Sequence, residues 1–503
     1  MTQDTTARGQ SAPDRLRAHI RDYLSRPFFD YFLILSVVAL ITAVGAVMVL
    51  SSSTTWSALD SGVWTQGLRH MVFLFVGYVV LWLALWMRPS MIRRLATPLL
   101  LLTIVLLCAV LIPGVGTGLV ESGARSWLAL GPFTFQPSEL AKVTLAVWGA
   151  HYLSDRGPVR HWLNNHYMHY CGVTVLIVGL ILRQPDVGMA VVCLSVAGLV
   201  LVFAGIPGRF ITGMVAAGGV LAVGYALVST FGGGEGNYRT HRLEVYKDAL
   251  LGDFDDVRGK AFQSYQGFLS LAEGGTGGVG PGQSRAKWFY LPEAKNDFIF
   301  AIIGEETGLV GGTLVILLFG ALGLVGLRCA MRSTDPYLKL LAATLTAGVV
   351  SQAFVNIGYV VGLLPVTGIQ LPMISSGGSS AIITVGSMGL LASAARHEPE
   401  AVSTMQSYGR PAIDRLLRLR EPDPAGSRGA VRRRARPVRQ STEPVTHRRG
   451  PRSSAPSSTE GRQPPRPTGP GGGSVTGGAG SRRRRPRPGG PVRPDHHHTR
   501  RRG

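Results

Sequence analysis

The sequence predicts an all-α, polytopic membrane fold with about ten transmembrane helices, and three observations carry that prediction. Apolar residues make up 46% of the chain and charged residues 16%, well below the roughly 25% charged residues of soluble domains. The apolar residues are gathered into runs that approach the ~20 residues a helix needs to cross a bilayer core. The net charge of +22 is unevenly placed: from His397 to the end there are 24 Arg, no Lys and 8 acidic residues. An apolar body and a basic tail share one chain.

Runs over 31–51, 68–87, 95–112, 139–153, 170–183, 187–205, 208–231, 298–327, 337–363 and 377–395 are read as the ten spans. An even number puts both termini on one side of the membrane. Arg8, Arg15, Arg17, Arg21 and Arg26 precede the first span, and Arg88, Arg93, Arg94, Arg156, Arg160, Arg209, Arg328 and Arg332 follow on the same side. The opposite loops hold Arg69, Arg125 and Arg183 singly, so the positive-inside tendency makes both termini cytoplasmic. The 28 polar and basic residues before the first span argue against a cleaved leader. Cys108, Cys171, Cys193 and Cys329 lie in or beside apolar runs without CxxC spacing, which suggests neither a zinc site nor a disulfide framework.

Three regions follow: a cytoplasmic segment 1–28, a membrane domain 29–395 with a long extracytoplasmic loop 232–296, and a tail 396–503. In the first, Leu16, Ile20, Tyr23 and Leu24 share a helical face beside Arg15, Arg17 and Arg21. That pattern suits a helix lying on the inner leaflet, or else a polar lead-in without fixed structure. In the loop, apolar residues recur at helical spacing around Leu243–Leu251 and Phe262–Leu271, as in a segment that covers something. Beyond about residue 425 the tail is Arg, Pro, Gly and Ser, and is expected to be disordered because it cannot bury enough surface to offset ordering entropy. It is either a solvated tether or a ligand for anionic lipid or an acidic protein; nucleic acid is not an expected partner.

Polar residues at membrane depth are costly and mark functional sites. They cluster toward the outer side. Arg125, Gln136, Ser138, Glu139 and Lys142 lead into the fourth span, with Glu139 and Lys142 at i, i+3 and able to pair. Read structurally, Pro137-Ser-Glu is a helix start and Lys142 snorkels, yet these polar residues together exceed what a cap needs. Lys287 through Asp297 enter the eighth span, and Glu305 and Glu306 lie about 12 Å deeper along it. Asn296 can cap that helix, which leaves Asp297 available. One of Glu305 and Glu306 is expected to face a polar cavity and pair with a cation such as Lys142 or Arg125. The glycine run 274–282 is a weak phosphate signal and equally a hinge. The uncharged loop 365–380, with Ser375 and Ser379, reads as a cavity-lining turn, and Gln352 and Asn356 at i, i+4 suit hydrogen bonding inside the bundle. Cations suited to a pyrophosphate beside a carboxylate suited to deprotonating an alcohol fit glycosyl transfer from a polyprenyl-pyrophosphate sugar, as one option among several.

The motifs Arg125…Phe135-Gln-Pro-Ser-Glu-Leu-Ala-Lys142, Gln184-Pro-Asp-Val-Gly188, Leu291-Pro-Glu-Ala-Lys-Asn-Asp-Phe-Ile-Phe-Ala-Ile-Ile-Gly-Glu-Glu306 and Gly362-Leu-Leu-Pro-Val-Thr-Gly368…Gly377-Gly-Ser-Ser380 resemble the SEDS family over about residues 30–395. The Pro-Glu-Ala and Ile-Ile-Gly-Glu-Glu wording resembles its cell-division branch more than its elongation branch, and the preponderance of Arg suggests an actinobacterial version. The resemblance implies a ten-helix fold that polymerises lipid II into peptidoglycan strands at the outer membrane face, at the division septum. It also implies a divalent cation (Mg2+ or Mn2+), a class B penicillin-binding protein as crosslinking partner, and other divisome membrane proteins. The family's essential aspartate matches Asp297, as general base or as the ligand that organises the acceptor, and as the residue that would hold the metal. Arg125, Lys142 and Glu306 match cavity-lining positions, with the two cations directed to the pyrophosphate; Gln136, Ser138, Glu139, Lys287, Ser375 and Ser379 are the further substrate-binding candidates. Departures are Lys295 where His is common, Gln370 for a usual Pro and Ser376 for a usual Tyr. The rival readings are a lipid II flippase and a divisome scaffold whose tail binds the acidic end of the division tubulin homologue. The crowding of intramembrane charge in the outer half favours outer-face chemistry over a transmembrane path.

Overall fold

The computed structural model describes residues 26–60, 64–118, 125–131, 133–155, 165–208, 210, 212–213, 262–288, 291 and 294–422, with side chains of 54–60 excepted. The chain divides into two units, Met1–Arg436 and Pro437–Gly503, and the second lies outside the described residues. So do most of the amphipathic segment 14–28, most of the span 208–231, and the loop through Leu243–Leu251.

Among the described residues six helices are long and apolar enough to cross a membrane. They lie in α1 (Phe29–Asp60), α2 (Thr65–Trp86), α3 (Pro89–Leu111), α8 (Ile299–Arg332), α9 (Pro336–Val360) and α10 (Gly378–Arg396). Three helices of 17 residues, α4 (Pro137–Leu153), α5 (His166–Leu182) and α6 (Val187–Phe203), are about 25 Å long, slightly under a bilayer core. The strands β1 (Gly116–Thr117), β2 (Trp127–Leu130) and β3 (Phe133–Phe135) form an antiparallel meander that delivers the chain to α4, and α7 (Phe262–Gly274) precedes α8. Helix α7 matches the spacing read around Phe262–Leu271.

α3 begins at Pro89, six residues before the apolar run, because proline is pre-organised for a helix first turn. Arg93 is therefore helical, bound to Asp155 at 2.8 Å, with its guanidinium over the Tyr337 ring. Large apolar side chains such as Phe75, Val310, Leu324 and Met331 stand exposed, an arrangement suited to lipid rather than to water. α9 and α10 are the most buried spans; α9 packs against α4, α6, α8 and α10, and α10 against α1 and α2.

α8 is broken at Gly308 (φ 67°, ψ −165°). The break frees backbone groups at membrane depth, where each must find a partner in the protein. The glycine run supplies them. Val279 and Gly280 N–H donate to the Glu305 and Glu306 carbonyls at 2.9 and 3.0 Å, while Leu309 and Val310 N–H donate to Gly275 and Thr276 at 2.9 and 3.3 Å. A Cβ on Gly278 would sit 2.3 Å from the Glu306 carbonyl oxygen, so only glycine permits this approach. The amides of Val279 and Gly280 thus go to a helix break and not to an anion.

At the other end the tail assignment from 396 needs correction. Residues 397–422 fold back as α11 (Pro399–Tyr408) and α12 (Ala412–Leu416). Arg396 donates to Asp414 at 2.6 Å, Tyr31 donates to the same carboxylate at 3.0 Å, and Leu419 is fully buried. A pattern of Asp414, Leu417 and Leu419 among arginines was too short to read as core from composition.

Candidate functional site

Three clusters of buried polar residues form in the bundle. The first is built on α4. Proline at its first position starts the helix, and Glu139 and Lys142, one turn apart, pair at 2.6 Å with both side chains buried. Lys142 Nζ also donates to Gln352 Oε1 at 2.9 Å, and Gln352 Nε2 donates to the Gln370 carbonyl at 3.0 Å. Gln136 Nε2 donates to Asp186 Oδ2 at 3.0 Å, and its backbone N–H donates to Ser379 Oγ at 3.2 Å. Asp186 caps α6 through the Met189 amide; burial pushes its carboxyl above the ordinary range, and these hydrogen bonds oppose that shift. Ser138 Oγ is buried without a hydrogen-bond partner among the described residues.

The second cluster is the turn 294–298 that carries Asp297. Its backbone is held from three sides. The Asp297 carbonyl accepts from Asn356 Nδ2 at 2.9 Å and from the Tyr359 hydroxyl at 3.0 Å. Ser375 Oγ donates to the Asn296 carbonyl at 2.7 Å, Ser376 Oγ donates to Asn296 Oδ1, and Lys295 Nζ donates to Gln66 Oε1 at 2.9 Å. Asp297 itself is half-buried. The backbone that carries the Asp297 carboxylate is thereby held in place.

The third cluster corrects an expectation. Glu306 pairs with Lys287 at 3.2 Å, not with Lys142 or Arg125. Lys287 Nζ also donates to the Gly282 carbonyl at 2.6 Å and to Ser51 Oγ at 3.3 Å, and Ser51 donates to Glu306 at 2.6 Å. Glu305 accepts from Ser284 Oγ at 2.8 Å and from the Arg285 amide at 2.6 Å. Both glutamates thereby fasten the segment 282–288 to the break in α8. Arg125 lies before β2, its aliphatic stem against Gly116.

Of the expected residues, the structure thus joins Gln136, Glu139, Lys142 and Ser379 around α4, Ser375 to the Asp297 turn, and Lys287 to Glu306. A signature of the FtsW/RodA/SpoVE cell cycle proteins matches residues 31–400. The chain belongs to this family. It is 41% identical over 82% of its length, and 76% of the relative's, to the probable peptidoglycan glycosyltransferase FtsW of Mycobacterium tuberculosis. It is 34% identical to the stage V sporulation protein E of Bacillus subtilis over 73% of this chain and 97% of that one. Among solved structures it is similar to a chain of a peptidoglycan synthase complex that coordinates polymerisation and crosslinking (30% identity, TM-score 0.58, 72% of this chain and 96% of that one). The rod shape determining protein RodA of Thermus thermophilus is also similar (27% identity, TM-score 0.52, 75% and 99%).

The two departures from the family pattern next to Asp297, Lys295 and Ser376, each make a hydrogen bond that pins the turn, so neither opens it. Sequence reasoning missed Gln66, Ser51, Asp186, Tyr359 and Gln370 as site-building residues. Each acts through a partner distant in sequence, and no local spacing announces that. Among the described residues no three His, Cys, Asp or Glu side chains converge to hold a metal ion. A site that takes Mg2+ together with substrate phosphates needs only one or two carboxylates. The half-buried Asp297, with hydroxyl and carbonyl oxygens around its turn, is a donor of that kind.

Proposed function

We propose that this chain, as a peptidoglycan glycosyltransferase of the family, polymerises lipid II at the outer face of the cytoplasmic membrane during septal synthesis, with Asp297 and Lys142 as its central residues. The observation that carries the reading is the state of Lys142: it is ion-paired with Glu139 at 2.6 Å, and among the described residues its hydrogen bond goes to Gln352, which does not saturate the three N–H donors of an ammonium. A donor left over is suited to an anion such as a pyrophosphate. In the transfer, the acceptor hydroxyl oxygen attacks the anomeric carbon of the donor sugar, the bond to pyrophosphate breaks, and the configuration inverts. Asp297 takes the hydroxyl proton. Lys142, with Arg125 as second cation, would neutralise the leaving pyrophosphate. Gln136, Ser138 and Ser379 would orient the substrate beside Lys142, and Ser375 holds the Asp297 turn. Lys287 and Glu306 act as an internal clamp. Mg2+ or Mn2+, held by Asp297 with the substrate phosphates, would supply further neutralisation of that charge.

The division role is supported by the FtsW relative at 41% identity against 27% for RodA. The arginines support cytoplasmic termini: Arg93 with Asp155, Arg332 with Glu398, and Arg396 with Asp414 gather at one end of the bundle. A ten-helix count follows if α4, α5, α6 and the span 208–231 each cross. A class B penicillin-binding protein is the proposed crosslinking partner, since the similar solved chain belongs to a synthase complex. Beyond residue 422 the arginine-rich tail is assigned to anionic lipid or the acidic end of the division tubulin homologue. Glycan chains formed from purified lipid II, with and without the class B partner, test the reading. Wild type is expected to make chains, and Asp297→Asn to fall by about 10³-fold; equal chains from both would sink the assignment of Asp297.

A further inference from the structure

The carboxylate and the cation of the proposed reaction sit on different elements, Asp297 before α8 and Lys142 on α4. Both are tied to one face of α9. Gln352 and Asn356 are four residues apart, about 6 Å along the helix, and point to the same side. Gln352 accepts from Lys142 Nζ and donates to the Gln370 carbonyl. Asn356 donates to the Asp297 and Ile369 carbonyls at 2.9 and 2.7 Å. Residues 369 and 370 lie in the loop whose Ser375 and Ser376 grip Asn296. One buried helix face therefore touches the cation, the loop and the carboxylate's turn.

We propose that Gln352 is a positioning residue for the transfer: it fixes the direction of the Lys142 ammonium and, with Asn356 one turn away, makes α9 the rigid element that holds cation and carboxylate in register. The inference rests on the glycosyltransferase reading above. The amide orientation is determined by its partners, because an ammonium only donates and a carbonyl only accepts. A neutral residue with one donor and one acceptor is required. A carboxylate there would face the Gln370 carbonyl without a proton and would take a second hold on Lys142, turning it from the leaving group. A protonated carboxyl has the amide's donor and acceptor again.

Gln352→Glu tests this because it keeps the shape. The titratable groups around Lys142 are Glu139 on α4, Asp186 on the α5–α6 turn and the Cys193 thiol on α6. Lowering the pH protonates an added carboxyl and restores the amide's donor and acceptor. Full-length protein in liposomes, given purified lipid II, is expected to show kcat reduced about tenfold at pH 8, with KM changed less than about threefold, and recovery toward wild type at pH 6. Gln352→Met, which carries no titratable group, is expected to lose kcat at both pH values, and it serves if the charged variant melts early. Wild-type kcat in Gln352→Met, or a Gln352→Glu deficit independent of pH while wild type polymerises normally, would overturn the inference alone. Absence of chains from wild type would overturn the underlying reading and the inference with it.

Discussion

Two buried Lys–Glu pairs lie in the molecule, and their surroundings assign them different work. Lys287 donates to Glu306, Gly282 and Ser51, which uses all three of its N–H groups. Lys142 is ion-paired with Glu139 and donates to Gln352, so among the described residues its N–H donors are not saturated. The first pair is closed and fastens the segment leading to Asp297 onto the break in α8. The second is open on one side and is the pair that the proposed reaction uses. Burial and charge are alike in the two pairs; the saturation of the hydrogen-bond donors separates a clamp from a binding cation.

The comparison can be broken most severely at the clamp. Lys287→Met leaves Glu306 buried without its counter-charge, which costs about 3–5 kcal/mol, so thermal unfolding in detergent should shift strongly downward. An unchanged melting temperature would mean that Lys287 is not a clamp. A smaller loss is expected at the break itself. Gly308→Ala adds a Cβ 2.4 Å from the Gly278 nitrogen at a positive φ, and overpacking of this kind costs about 1–3 kcal/mol. The same melting experiment reads it, and a variant as stable as wild type would show that the glycine run is not docked there.

The smallest effect belongs to the end of the bundle that carries Glu398, which contrasts with both pairs. Burial, reinforced by Asp30, raises the Glu398 carboxyl to about 7, with Arg332 opposing. The folded chain then holds that proton more tightly than the unfolded chain does. Its contribution to stability is complete below about 4.5 and is lost as pH rises through about 7. Glu398→Gln should flatten the fall in melting temperature between pH 5 and pH 8, and an unaltered slope would contradict the assignment.

Much of this was legible in the sequence. Long apolar runs gave the spanning helices, because lipid leaves a helix no other way to satisfy its backbone. The Glu139–Lys142 pair followed from its i, i+3 spacing. The partner of Glu306 did not, since it lies across a loop of glycines whose role depends on Gly308, thirty residues from Gly278. Helical periodicity continues through that break, so nothing local marks it. The folded segment 397–422 was hidden for another reason: its few core residues, Asp414, Leu417 and Leu419, are scattered among arginines and acquire meaning only against Tyr31, Trp82 and Arg396.

The most direct test replaces each pair by neutral residues of similar shape, which spares stability because no charge is left unpaired. Glycan-chain synthesis from lipid II would be measured for Lys142→Met with Glu139→Gln and for Lys287→Met with Glu306→Gln. The account predicts a loss of about 10²–10³-fold for the first, the scale of removing one preorganised donor, and a rate within about tenfold of wild type for the second. Equal losses in the two, or the larger loss at Lys287, would contradict the division of labour between them.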